Sequence, residues 1–202
     1  MKKKIFFNKP FINKAARHNI LKVIKNMNFT DGIFQKKCEN YIKKRIKSSS
    51  VKLTNSCTSA LEIAMILINL KKGDEVIIPS YTFTSTANCI IMRGAKPVFV
   101  DINSHDLNMS AEEIEKNITK KTKAIILVHY AGVSCDLEKI IKIKNKYNLF
   151  LIEDAAHAFM GKYKNQFLGT IGDLGAFSFH ETKNIVAGQG GALSINNKKF
   201  EK

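Results

Sequence analysis

Tryptophan is missing from this 202-residue chain, proline occurs three times and cysteine four times. So little proline, with no repeat and no Pro/Gly-rich hinge, excludes a rigid linker or a low-complexity tail. Cys38, Cys57, Cys89 and Cys135 form no CxxC pair and share no ligand spacing with the five histidines. That pattern argues against a metal site or a disulfide framework and predicts reduced, mostly buried thiols. No apolar run approaches the roughly 18 residues that cross a bilayer. Met1–Phe7 imitates the start of a secretory leader, but Asn8-Lys9-Pro10 ends its apolar stretch at once. A cytoplasmic protein with no membrane partner is the expectation.

What is abundant is positive charge and aliphatic surface. The hydrophobic fraction of 45% is enough for a packed core, and the length suits one α/β domain. The net charge of +16 is uneven: residues 1–50 carry +12 and the remaining 152 carry +4. A basic leading segment could hold nucleic acid, a membrane surface or a phosphorylated small molecule. The simpler reading, preferred here, is that these lysines are the wet faces of two amphipathic helices near 13–28 and 34–47. In the first, Ile20, Val23, Ile24 and Met27 recur at helical spacing. The organisation expected is a basic helical segment over 1–50 and one larger domain over 51–202.

Beyond residue 50, short apolar runs alternate with longer amphipathic stretches. Strands are expected at Val51–Thr54, Glu75–Pro79, Pro97–Asp101, Ala124–His129, Leu149–Asp154, Ala176–His180 and Ala192–Ile195. Helices are expected near 58–70, 85–92, 110–118 and 136–147. Strands joined by helical crossovers make a mostly parallel, seven-stranded sheet flanked by helices. Ligands in such sheets gather at the carboxyl ends of the strands.

Three motifs fall at such ends. Asn55-Ser56-Cys57-Thr58-Ser59-Ala60 follows the first strand and opens a helix, where free N–H groups and hydroxyls suit a phosphate, although Ser and Thr are also ordinary helix caps. Asp154, in Ile152-Glu153-Asp154-Ala155-Ala156-His157, ends an apolar strand and needs a partner for its charge. A protonated pyridine nitrogen, a metal, a ribose or a helix terminus would each serve. Lys183, in Ser178-Phe179-His180-Glu181-Thr182-Lys183-Asn184, follows an apolar strand and precedes Gly188-Gln189-Gly190-Gly191. Lysine is the side chain that condenses with an aldehyde, and partial burial favours its reactive form.

These three motifs, in this order, with 29 residues from Asp154 to Lys183, resemble the DegT/DnrJ/EryC1/StrS family of pyridoxal-phosphate-dependent sugar aminotransferases. Ser56-Cys57-Thr58, Pro79-Ser80-Tyr81-Thr82-Phe83, His129-Tyr130-Ala131-Gly132 and Ser178–Asn184 resemble its dTDP-4-amino-4,6-dideoxygalactose transaminase subgroup. The resemblance implies fold type I of the pyridoxal-phosphate-dependent transferases, the aspartate-aminotransferase-like fold, with pyridoxal 5′-phosphate as cofactor. Lys183 would hold that cofactor covalently, Asp154 would pair with its pyridine nitrogen, and Thr58, Ser59 and Ser178 would bind its phosphate. Phe83 would stack on the ring and His157, where close relatives usually carry glutamine, would reach the ring hydroxyl. Without the family, Phe83 and Tyr81 read as core aromatics and His157 as a local cap. Gly32, His129 and His180 are candidate substrate contacts, with a turn and two packed histidines as the plainer readings. No metal is expected.

The implied activity moves an amino group, from glutamate, to the C4 ketone of a dTDP-4-keto-6-deoxyhexose in cell-surface polysaccharide biosynthesis. The implied partners are that nucleotide-linked keto-sugar, the amino-acid donor and a second copy in a homodimer. Family members continue past the position of Lys202 into a small C-terminal domain absent here, so the expectation is a truncated gene or one part of a larger protein. The alternative is an inactive fragment that only folds or associates. A family dehydratase would replace Lys183, and a nucleic-acid binder would rest on the basic segment alone.

Overall fold

The computed structural model describes residues 11–27, 29–30 and 32–201. The leader-like Met1–Phe7 and the expected end of the first helix at residue 28 lie outside them. The first helix, α1 (Lys14–Lys25), starts where the Asn13 side chain accepts the Ala16 N–H at 2.8 Å. None of its residues is buried. In α2 (Ile33–Ile46) the last two turns differ: Ile42 and Ile46 enter the core, and the helix stops at Lys47 in the left-handed region.

The strands are β1 (Ser50–Thr54), β2 (Glu75–Pro79), β3 (Lys96–Val100), β4 (Thr122–Val128), β5 (Phe150–Asp154), β6 (Lys162–Tyr163), β7 (Gln166–Phe167), β8 (Leu174–Ser178) and β9 (Gly191–Ile195). The remaining helices are α3 (Cys57–Leu67), α4 (Thr84–Ile91), α5 (Ala111–Lys116) and α6 (Leu137–Lys146). Seven strands form one sheet in the order β1-β9-β8-β5-β4-β2-β3. Every neighbouring pair is parallel except those of β9, which runs antiparallel to both β8 and β1. The seven expected strands are therefore all present.

Helices cover both faces, as a mostly parallel sheet requires. Ala60, Leu61, Ala64 and Met65 of α3 and Cys89 and Ile90 of α4 pack on Val76, Ile78, Ile126 and Ile152. On the opposite face α2, α5 and α6 cover Ile77, Ile125, Leu127 and Leu151. Successive residues of β5 thus serve different layers.

Two features depart from the expected outline. A small hairpin, β6–β7, interrupts the connection from β5 to β8, turning at Lys164 with φ +52°. The sixth sheet strand starts and ends two residues earlier than its apolar run, at Leu174–Ser178 instead of Ala176–His180. Asp173 sets its start, because one carboxylate oxygen accepts the Leu151 N–H at 2.8 Å and fixes where β8 meets β5. His180 consequently lies in the β8–β9 loop.

Candidate active site

A cavity of about 560 Å³ opens at the carboxyl ends of β1, β2, β4, β5 and β8. Its size falls within the range of small-molecule sites, roughly 300–1,000 Å³. Ser56, Cys57 and Thr58 line it from the β1–α3 turn, Tyr81, Thr82 and Phe83 from the β2–α4 turn, and Val128 and Tyr130 from the end of β4. Asp154, Ala156 and His157 follow from β5, and Ser178, His180, Thr182, Lys183 and Gln189 from β8 and its loop.

Asp154 is the last residue of β5 and only 5% exposed. Strand alternation turns it toward α3 and α4, while Glu153 turns the other way. Its Oδ2 accepts the Thr86 hydroxyl at 3.0 Å, and its Oδ1 accepts the Ala156 N–H at 3.2 Å and faces the Cys57 thiol at 3.9 Å. Among the described residues no cation lies within ion-pairing distance of it. Burial pushes its pKa up; the Ala156 N–H, the Thr86 hydroxyl and the positive charge of His157 and Lys183 pull the other way. The thiol of Cys57 is raised well above its ordinary value, first by burial and then by Asp154.

The mouth of α3 supplies donors. Ser56 caps the helix, its hydroxyl accepting the Ser59 N–H at 3.1 Å, and the Cys57 and Thr58 N–H groups meet no protein acceptor among the described residues. Gly191, at the start of β9, lies directly beneath this turn. A Cβ there would overlap the Ser56 backbone and stand 2.6 Å from the Cys57 nitrogen. The glycine lets the phosphate-suited end of α3 sit against the sheet.

Lys183 lies in the β8–β9 loop, half-buried, its N–H bonded to the His180 carbonyl at 2.9 Å. It takes part in no ion pair among the described residues, while its charge acts on Asp154, Cys57 and His157. His157 accepts the Ala131 N–H on Nδ1 at 3.3 Å, so the neutral ring carries its proton on Nε2. Desolvation lowers its pKa, helped by Lys183 and opposed by Asp154. Tyr130 stands edge-on to this ring at 5.9 Å and shares a 3.1 Å hydroxyl contact with Tyr81. Phe83, at the mouth, is 75% exposed.

The cavity thus gathers Lys183, Asp154, Thr58, Phe83, His157, Ser178 and His180 of the residues singled out from the sequence. Ser59 does not line it; its hydroxyl lies 3.1 Å from that of Ser56, one position behind the wall. Gly32 is the N-cap of α2 in extended conformation and lies outside the cavity lining. His129, the other candidate histidine, does not line the cavity. Its side chain is 0% exposed, donates from Nε2 to Glu153 at 2.8 Å and accepts the Cys135 N–H on Nδ1. It faces the α6 side of the sheet, away from the site.

No role fell to Thr82, Thr86, Cys57, Tyr130 or Gln189 from the sequence, yet all of them contribute to the site. Thr82, Tyr130, Cys57 and Gln189 lay inside the motifs but had no chemistry of their own to flag them. Thr86 belonged to a helix of small residues, and nothing local marks which of them faces Asp154.

The donor set fits pyridoxal phosphate. A buried carboxylate without a cation suits a protonated ring nitrogen, a half-buried amine suits an aldehyde, and uncapped N–H groups with Thr58 and Ser178 suit a phosphate.

Comparison with known proteins agrees. The sequence profile of the DegT/DnrJ/EryC1/StrS aminotransferase family matches residues 10–202. The spore coat polysaccharide biosynthesis protein SpsC of Bacillus subtilis is 45% identical over 146 residues, covering 72% of this chain and 38% of that protein. GDP-perosamine synthase of Escherichia coli O157:H7 is 40% identical over 167 residues, covering 83% and 46%. Among solved structures, a Streptococcus pneumoniae protein described as a sugar aminotransferase superposes in its PMP-form with a TM-score of 0.92 at 30% identity, covering 98% of this chain and 54% of that one. Its PLP-form gives 0.88 at 30% identity, with 98% and 55% covered. The chain spans half or less of the length of the curated relatives it matches.

Proposed function

The chain belongs to the DegT/DnrJ/EryC1/StrS aminotransferase family, of fold type I and with pyridoxal 5′-phosphate as cofactor, and on that premise we propose that it is the cofactor-binding half of a nucleotide-sugar transaminase. Residues 51–202 would form the large domain and residues 1–50 a leading helical segment. The observation that carries this reading is the pairing, on one cavity, of the buried Asp154 carboxylate with the Lys183 amine. When bound, the cofactor supplies an electron sink for the substrate carbon that loses its proton.

The chain's own residues do the rest. Asp154 would hold positive charge at the ring nitrogen, and Thr58 and Ser178, with the end of α3, would anchor the phosphate, supported by Ser59 behind them. Phe83, at the mouth, would cover the cofactor ring, and the Nε2–H of His157 would serve its ring hydroxyl. Lys183 would hold the cofactor and is the amine placed on the cavity to take up and return a proton at the substrate carbon. His180, at the rim, is the remaining candidate for sugar contact, and Gly32 one only if a second copy brings it to the site.

For the substrate we propose a nucleotide-linked 4-keto-6-deoxyhexose, with glutamate as donor, used in the synthesis of a surface polysaccharide. The resemblance of the motifs to the dTDP-4-amino-4,6-dideoxygalactose transaminase subgroup supports a dTDP-sugar as the first reading. The likeness to GDP-perosamine synthase supports a GDP-sugar as the second reading. A homodimer in the cytoplasm is the proposed working state; among the described residues no helix is long and apolar enough to cross a membrane.

The test is borohydride reduction of the protein with bound pyridoxal phosphate, followed by peptide mapping. Label on Lys183 is expected; label on another lysine with none on Lys183 would refute the assignment. Turnover with glutamate and each keto-sugar nucleotide then separates the two substrate readings.

A further inference from the structure

Asp154 is held by a chain of hydroxyls that reaches back to the cavity wall. Thr86, fully buried in the first turn of α4, places its Oγ1 3.0 Å from Asp154 Oδ2 and 2.9 Å from the Oγ1 of Thr82. Thr82 is half-buried and lines the cavity. Counting protons sets the direction of the chain. A carboxylate only accepts, and a hydroxyl has one proton to give. Thr86 therefore gives its proton to Oδ2 and accepts from Thr82.

The second hydroxyl matters because helical threonines commonly turn back to a carbonyl in the preceding turn. Donation from Thr82 occupies Thr86 Oγ1 from that side and leaves its proton aimed at the carboxylate. The main chain of Thr86 is fixed as well, its N–H bonded to the Phe83 carbonyl at 3.0 Å and its carbonyl accepting the Cys89 thiol at 3.3 Å. At the other oxygen, Oδ1 takes the Ala156 N–H. The two oxygens are thus restrained from different elements, and the carboxylate plane cannot swivel.

We infer that Thr86, set by Thr82, is a positioning residue that fixes the Asp154 carboxylate for the cofactor's ring nitrogen, an inference that rests on the pyridoxal phosphate reading above. The titratable groups around Asp154 are Cys57 on α3, Cys89 on α4, His157 after β5 and Lys183 in the β8–β9 loop. Among the described residues none of them bonds to Oδ2, so the hydroxyl of Thr86 is the only restraint there.

The experiment uses pyridoxal phosphate labelled with ¹⁵N in the ring, bound to wild type, Thr86→Val, Thr86→Ser and Thr82→Val. Valine keeps the shape of threonine and removes the hydroxyl; serine keeps the hydroxyl. In wild type the ring nitrogen is expected to stay protonated across neutral pH. In Thr86→Val it should lose its proton at lower pH, and the cofactor should bind about tenfold more weakly, the worth of one hydrogen bond to a charged group. Thr86→Ser should restore both, and Thr82→Val should move both the same way by less. An unchanged nitrogen signal and affinity in Thr86→Val overturns the inference while the cofactor reading stands. Wild type that fails to bind pyridoxal phosphate with a protonated ring overturns that reading, and the inference with it. If Thr86→Val does not fold, Thr82→Val decides: an unchanged signal there overturns the chain of hydroxyls.

Discussion

The His129 imidazole donates to the Glu153 carboxylate at 2.8 Å with both side chains wholly buried. The same carboxylate accepts the N–H groups of Gly169 at 2.7 Å and Ile171 at 2.6 Å, and that of Gly172. One strand residue thus gathers the loop leading into β8 and ties it to the end of β4. A buried carboxylate with this many donors is a structural clamp, and breaking such a set leaves donors unpaired. Glu153→Gln should lower unfolding free energy by about 3 kcal/mol in chemical denaturation. Pyridoxal phosphate affinity of the remaining folded protein should be unchanged, because the clamp lies on the far face of the sheet. A variant as stable as wild type would contradict this role.

Asp154 stands in the opposite position, buried with few donors. Burial raises its carboxyl pKa above the unfolded value of 3.8. The folded state then binds its proton more tightly than the unfolded state does. That contribution to stability is present below pH 3.8 and is lost as pH rises through the folded value. Asp154→Asn removes the loss, so the cofactor-free variant should melt higher than wild type at neutral pH, and the gap should close as the solution is acidified. In the same variant, bound pyridoxal phosphate should lose the proton of its ring nitrogen at lower pH than in wild type. Equal melting curves at pH 7 would show that the buried charge carries no cost.

Gly191 is the contact through which β9 supports the mouth of α3. A methyl group there would overlap the Ser56 backbone, which has no room to yield because β1 and β9 are paired through Thr54 and Gly191. Gly191→Ala should cost roughly 1–3 kcal/mol of stability, the usual penalty for overpacking. It should also weaken pyridoxal phosphate binding through the displaced N–H groups of Cys57 and Thr58. Spectral titration with the cofactor checks this; retained affinity would dissociate the glycine from the phosphate site.

Thiol chemistry should divide the four cysteines sharply. Burial raises Cys57, Cys89 and Cys135, with Cys89 pushed up to about 12, while Cys38 is exposed on α2. The thiolate is the reactive form. Iodoacetamide at pH 8 should therefore modify Cys38 first in the native protein, and the other three only after denaturation. Cys57 is the informative one, since it lines the cavity. Its modification at the rate of Cys38 would mean that neither burial nor Asp154 opposes its ionisation.

Sequence by itself determined the number of sheet strands, the mostly parallel layering and the placement of Asp154 and Lys183 at or after strand ends. Each rests on a local signal: apolar runs of strand length, crossover-length spacings, and polar groups placed just past strand ends. The start of α3 behind Ser56 was legible for the same reason, because a helix N-terminus is announced by its Ser and Thr caps.

Tertiary structure alone decided which neighbours face which layer. Glu153 and Asp154 are adjacent in sequence and identical in charge, yet the pleat sends one into a backbone clamp and the other into the cavity. His129 and His180 both follow apolar strands, and register separates them: β4 ends at Val128, which buries His129 against Glu153, whereas β8 ends at Ser178 and leaves His180 in a loop. Thr86 and Cys57 meet the same carboxylate from helices whose first turns are about thirty residues apart in sequence. Contacts of that kind are set by how helices seat on a sheet, a packing decision taken between segments and written in neither of them.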